Sequence, residues 1–108
     1  MKITASRTLM KSVPELWELL DDELQLREWS SQMCKGDAVE VVAREPQRLL
    51  GWSCKGTETT ILVRVMLAEK GFGTQVLITA RAEHLAEDSL EQVLNDLAEP
   101  QRRPFSTV

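Results

Sequence analysis

Apolar residues recur with two different periods along this chain, and the changes of period divide it into elements. Ile3, Ala5 and Leu9 alternate with Thr4, Ser6 and Thr8, which predicts a strand over residues 3–10. Arg7 falls on the apolar side of that strand, so it is either a rim residue or a charge pointing toward a cavity. Val13, Leu16, Trp17 and Leu20 then share one helical stripe. Ser12 opens this helix with Glu15 three residues on, a capping-box spacing, and Pro14 sits in the first turn, where a missing N–H costs nothing. Asp21-Asp22 ends it, residues 24–29 predict a second short helical turn, and residues 30–36 read as a loop.

From Asp37 the period is two. Val39, Val41 and Ala43 alternate with Glu40 and Arg44, and Glu45-Pro46-Gln47 is a turn. Residues 49–54 form the next strand. Its parity, counted from Leu49 and Gly51, puts Trp52 on the outer face. Ile61, Val63, Val65 and Leu67 are in phase on a long strand, and Val76, Ile78, Ala80 and Ala82 on its return. Gly71-Phe72-Gly73 between them is a hairpin loop whose glycines supply unusual backbone angles. Asp88 is placed to cap a last helix, with an apolar stripe of Leu90, Val93, Leu94, Leu97 and Ala98, and Pro100 ends it. The expected fold is α+β: a curved antiparallel sheet of about five strands gripping a C-terminal helix, with short helices after the first strand. Residues 1–100 form one domain and 101–108 a polar tail.

Composition narrows the function more than the fold. The 108 residues carry 13 basic and 17 acidic side chains, a net charge of −4, which disfavours phosphate-driven nucleic-acid binding. No apolar run approaches the length of a membrane span, and Met1-Lys2-Ile3-Thr4 does not open a signal sequence, so a cytoplasmic location is expected. Cys34 and Cys54 then read as reduced, half-buried thiols. With one histidine, His84, and no CxxC or HExxH spacing, no metal site or cofactor is expected. The chain has no tyrosine, serine elbow or phosphate loop, and the balance is against an enzyme.

The order of these segments resembles the START-like, or helix-grip (SRPBCC), superfamily, in its bacterial polyketide-cyclase and chaperone-ATPase-activator branch. The resemblance is carried by residues 3–9 (ITASRTL), residues 13–20 (VPELWELL), Trp29, the turn at residues 45–50 (EPQRLL) and Gly73-Thr74-Gln75-Val76. It implies a pocket between the C-terminal helix and the sheet for a hydrophobic small molecule or lipid. The segment between Trp29 and Asp37 is too short for the hairpin that the family usually carries there. That leaves a sheet edge open to a homodimer or other protein partner.

Candidate site residues follow from the same placement. Val65, Ala80 and Leu94 would line the walls, Trp29 and Met33 the mouth. His84, on the inward side near the end of the last strand, would orient a polar group or act as acid or base in a minimal cyclase-like enzyme. Arg7 is a possible polar anchor. In the alternative reading the core is filled, and the chain is a protein-interaction module working through a sheet edge and an exposed Trp52. Arg64 and Arg81 share the outward parity of the two long strands, with Glu58 or Glu69 as expected partners.

Overall fold

The computed structural model describes residues 2–34, 38–55, 60–81 and 87–98. The elements run β1 (Lys2–Leu9), α1 (Val13–Leu20), α2 (Glu23–Cys34), β2 (Ala38–Glu45), β3 (Leu49–Lys55), β4 (Thr60–Lys70), β5 (Gly73–Arg81) and α3 (Glu87–Ala98). The strands form one antiparallel sheet in the order β1-β5-β4-β3-β2. β2 to β5 are a meander, and β1 pairs with the last strand, so β1 and β2 are the edges.

Local chemistry explains the element ends. Ser12 Oγ accepts the Glu15 backbone N–H at 3.3 Å, and Leu16 N–H reaches the Ser12 carbonyl at 3.0 Å, the cap predicted for α1. Asp22 performs the same service for α2, its Oδ1 accepting from Leu24 N–H at 3.0 Å. The β4–β5 loop is Gly71-Phe72 alone, with positive φ (60°) at Gly71 only, as a type II′ turn requires. Between β2 and β3, Arg48 N–H donates to the Glu45 carbonyl at 2.9 Å, with Pro46 and Gln47 between them. Gln47 takes φ 62°, so this is a type II turn whose left-handed position is not a glycine.

All three helices lie on one face of the sheet. α3 packs on β1 and β5, and α2 covers β2, β3 and β4. The inward rows of the sheet follow from the register: Val41, Trp52, Val63, Ala80 and Ile3 lie side by side across five strands, and Leu50, Val65, Ile78 and Ala5 form the row beside it. Leu90, Val93, Leu94 and Leu97 of α3 close over this floor and are buried.

Four expectations are corrected. α2 does not stop at Trp29 but continues to Cys34. Its buried stripe is Leu26, Trp29, Ser30 and Cys34 with half-buried Met33, a helical spacing that polar Ser30 disguises. Trp52 is fully buried, not exposed, because Leu50, Trp52 and Cys54 are the inward set of β3 and Trp52 pairs with core residue Val63. Arg44 leaves the outer face. A bulge between Val41 and Ala43 adds one residue and reverses the parity beyond it, so Arg44 pairs with Asp21 Oδ1 at 2.9 Å. α3 begins at Glu87, which places Asp88 inside the helix instead of at its cap. His84, Ala82, Glu58, Pro100 and the tail lie outside the described residues.

Candidate functional site

Two tryptophans join α2 to the centre of the sheet. Trp29 and Trp52 stack with ring centroids 5.9 Å apart and planes at 22°. Trp29 donates its indole N–H to Asp96 Oδ2 of α3 at 2.8 Å, tying α2 to α3. Trp52 Nε1 and Ser30 Oγ, both buried, have no hydrogen-bond partner among the described residues. Buried polar atoms without partners are rare in folded proteins, because each forfeits the hydration it had in water.

One turn further along α2, Cys34 meets Cys54. The structure pairs them as a disulfide, with Cα atoms 6.5 Å apart, which corrects the expectation of two separate thiols. Cys34 Sγ also lies 3.3 Å from the Cys54 carbonyl oxygen, the position to which a thiol would donate if the pair were reduced. The tryptophan stack and the sulfur pair are therefore successive clamps between one face of α2 and β3.

The sequence-derived residues divide into three groups. Trp29, Val65, Ala80 and Leu94 fall in one continuous core, with Met33 packed half-buried against it. Arg7 sits at the rim, where the protein itself supplies its partners: Glu91 Oε1 at 2.7 Å and Asn95 Oδ1 at 2.8 Å, both on α3. A ligand carboxylate at Arg7 would have to displace them. His84 lies outside the described residues. The sequence offers Trp52 only as an exposed protein-contact residue, which its burial rules out, and does not single out Ser30. The apolar neighbours of Trp52 at i−2 and i+2, Leu50 and Cys54, were the signal for its inward position.

Cavities lined by described residues open away from the α3–sheet contact. One of about 140 Å³ lies at the α1–α2 junction against β2, between Asp21, Glu23, Leu26, Val39, Val41 and Arg44. Another, of about 160 Å³, is lined by Lys2, Leu62, Arg64, Thr79 and Arg81 on the outer face of the sheet. Among the described residues no group of three or more His, Cys, Asp or Glu side chains is placed to hold a metal ion. Among them, too, no helix is long and apolar enough to cross a membrane.

This is an α+β domain with an open five-stranded antiparallel sheet and a C-terminal helix, and solved bacterial proteins share its architecture. The protein MLL2253 of Mesorhizobium loti is similar with a TM-score of 0.73 and 16% identity, over 91% of this chain and 94% of that one. CalU16 of Micromonospora echinospora is similar with a TM-score of 0.66 and 20% identity, over 90% of this chain and 71% of that one. DynU16, a protein of the dynemicin biosynthetic locus, is similar with a TM-score of 0.60 and 15% identity, over 90% of this chain and 45% of that one. No family model and no curated protein matches the sequence. At these identities the likeness is one of fold.

Proposed function

We propose that this chain is a small START-like domain that binds an apolar small molecule or lipid against the inner face of its sheet, without catalysis. The observation that carries the reading is the pair of unpartnered buried groups, Trp52 Nε1–H and Ser30 Oγ. A ligand carbonyl or hydroxyl beneath α2 would satisfy the indole donor, and the Trp29–Trp52 stack offers a broad apolar surface beside it. Val65, Ala80 and Leu94 would form the deeper wall, with Met33 toward the mouth; His84, outside the described residues, is the polar group the sequence offers to the same site. The wall is closely packed, so entry requires α2 to move relative to α3. DynU16, a protein of the dynemicin biosynthetic locus, shares this fold, which is compatible with the same reading.

Native mass spectrometry of the purified protein, alone and after incubation with a panel of lipids and polyketides, tests the proposal. A retained mass at one-to-one stoichiometry, with quenching of tryptophan emission, supports it. A bare protein across the whole panel overturns it. The same spectrum tests a second reading, a homodimer or other protein partner at the β2 edge. The observation favouring that reading is Val42, which the bulge leaves 53% exposed on edge strand β2, whose outer side pairs with no other described strand.

A further inference from the structure

The outer face of the sheet carries a concentration of positive charge that no carboxylate among the described residues pairs with. Lys2 of β1 stands directly opposite Arg81 of β5, and Arg81 directly opposite Leu62 of β4. Arg64 is opposite Thr79, two residues before Arg81. Arg64 and Arg81 are thus diagonal neighbours across the β4–β5 pair, about 7–8 Å apart at their backbones. Like charges placed directly opposite on adjacent strands oppose pairing. Here a third cation adjoins them.

The other described arginines behave differently. Arg7 pairs with Glu91, Arg27 with Glu23, Arg44 with Asp21 and Arg48 with Glu45. Among the described residues Arg64 and Arg81 are the two arginines without a carboxylate, although the chain carries more acid than base. The expected partner Glu69 lies level with Thr74, at the far end of β4 from Arg81. The three cations, with Thr79 and Leu62, line the cavity of about 160 Å³. That is the volume of about five waters at liquid density, room for a tetrahedral oxyanion and a substituent.

We propose that Lys2, Arg64 and Arg81, grouped around Thr79, form a binding site for a phosphate-bearing small molecule. Two guanidiniums offer planar pairs of N–H donors that match two oxygens of one phosphate, and the ammonium and the threonine hydroxyl add donors from the remaining sides. The occupant is small, because three cations on a net-negative chain do not attract an extended polyanion. The site is on the opposite face of the sheet from the apolar core and does not depend on a ligand there.

The test is a titration with sodium pyrophosphate at low ionic strength, followed by backbone amide NMR shifts. Saturable shifts at residues 2–4, 62–64 and 79–81 are expected. Arg64→Gln and Arg81→Gln should each weaken binding at least 5-fold, and the double variant should abolish it while keeping the native spectrum. Thr79→Val should weaken it less. Binding unchanged in the double variant, shifts spread equally to Lys55 and Lys70, or no saturation would overturn the proposal. Co-sedimentation with phosphatidylcholine vesicles containing phosphatidic acid distinguishes the source. Sedimentation lost in the double variant assigns the phosphate to a lipid headgroup, and pyrophosphate binding without sedimentation assigns it to a soluble molecule.

Discussion

Trp29 and Trp52 stack in the core, yet among the described residues only the Trp29 indole of the pair has an acceptor, Asp96 Oδ2 at 2.8 Å. Asp96 reaches in from α3 and also accepts from Gln92 through its other oxygen at 2.9 Å. Asp96→Ala would leave a second buried indole N–H unpaired beside that of Trp52. A loss of about 1–3 kcal/mol is expected in urea unfolding. Asp96→Asn, which keeps one acceptor oxygen, should lose less. Equal losses in the two variants would show that the hydrogen bond to Trp29 is not what α3 gains from this residue.

The two glycines that interrupt the strands are not equivalent. A Cβ on Gly73 would lie within van der Waals contact of the Leu9 carbonyl, in clash with its oxygen, because β1 ends against the first residue of β5. On Gly51 a Cβ would meet Ala43 Cβ at 3.4 Å, the Arg64 stem at 3.5 Å and the Val63 carbonyl oxygen at 3.6 Å, ordinary contacts. Gly73→Ala should therefore prevent closure of the β1–β5 ladder and cost about 2–4 kcal/mol. Gly51→Ala should be neutral or stabilising by up to about 1 kcal/mol, since alanine is the less flexible residue in the unfolded chain. Thermal unfolding of the two variants side by side checks both signs.

The sequence made the meander legible because each long strand buries one complete alternating set, such as Ile61 to Leu67 against Val76 to Ala80. It also made the α1 cap legible, because Ser12 and Glu15 act within a single turn. What it hid was governed by tertiary partners. Ser30 interrupts the apolar stripe of α2, so the second half of that helix shows only once the sheet is there to bury Trp29 and Cys34. Counting parity from Leu49 puts Trp52 outside, whereas its pairing with Val63 across the ladder turns it inward. Arg44 changes face through one inserted residue at Val42, which no period-two count can detect. The candidate wall was legible as an apolar face, but its two unpartnered polar atoms depend on three-dimensional neighbours.

Gln47 occupies the left-handed position of the β2–β3 turn with φ 62°. An L-residue with a Cβ pays about 1–2 kcal/mol there, and glycine pays little. Part of the gain is offset by the greater freedom of glycine in the unfolded chain. Gln47→Gly should therefore raise stability by about 0.5–1 kcal/mol. Gln47 is exposed, so no lost contact masks the effect. A lower unfolding midpoint for the glycine variant would contradict it.

Arg7 joins β1 to α3 through Glu91 and Asn95, with its side chain 36% and that of Glu91 47% exposed. Solvent screens a pair this open, so Arg7→Ala should cost less than about 1 kcal/mol, and the difference from wild type should shrink in 1 M salt. A loss above about 2 kcal/mol that salt leaves unchanged would show that the aliphatic stem, packed beneath α3, matters more than the charge.

Cys34 and Cys54 close a loop with a sequence separation of 20 residues, from the end of α2 to the penultimate residue of β3. A cross-link of that span lowers the entropy of the unfolded chain by about 3 kcal/mol at room temperature. Forming it removes two protons and two electrons, which a small-molecule disulfide or peroxide accepts. The oxidised protein should resist alkylation of both cysteines under denaturing, non-reducing conditions, and added dithiol should lower its urea midpoint. Cys34→Ser and Cys54→Ser should each unfold at or below the midpoint of the reduced protein and be insensitive to the dithiol. The loss in the serine variants should exceed that on reduction wherever the new hydroxyl is left without a partner, because both positions are buried. Two free thiols in protein purified under air would show that the pair serves as packing alone. In that form the 3.3 Å contact of Cys34 Sγ with the Cys54 carbonyl would hold α2 to β3.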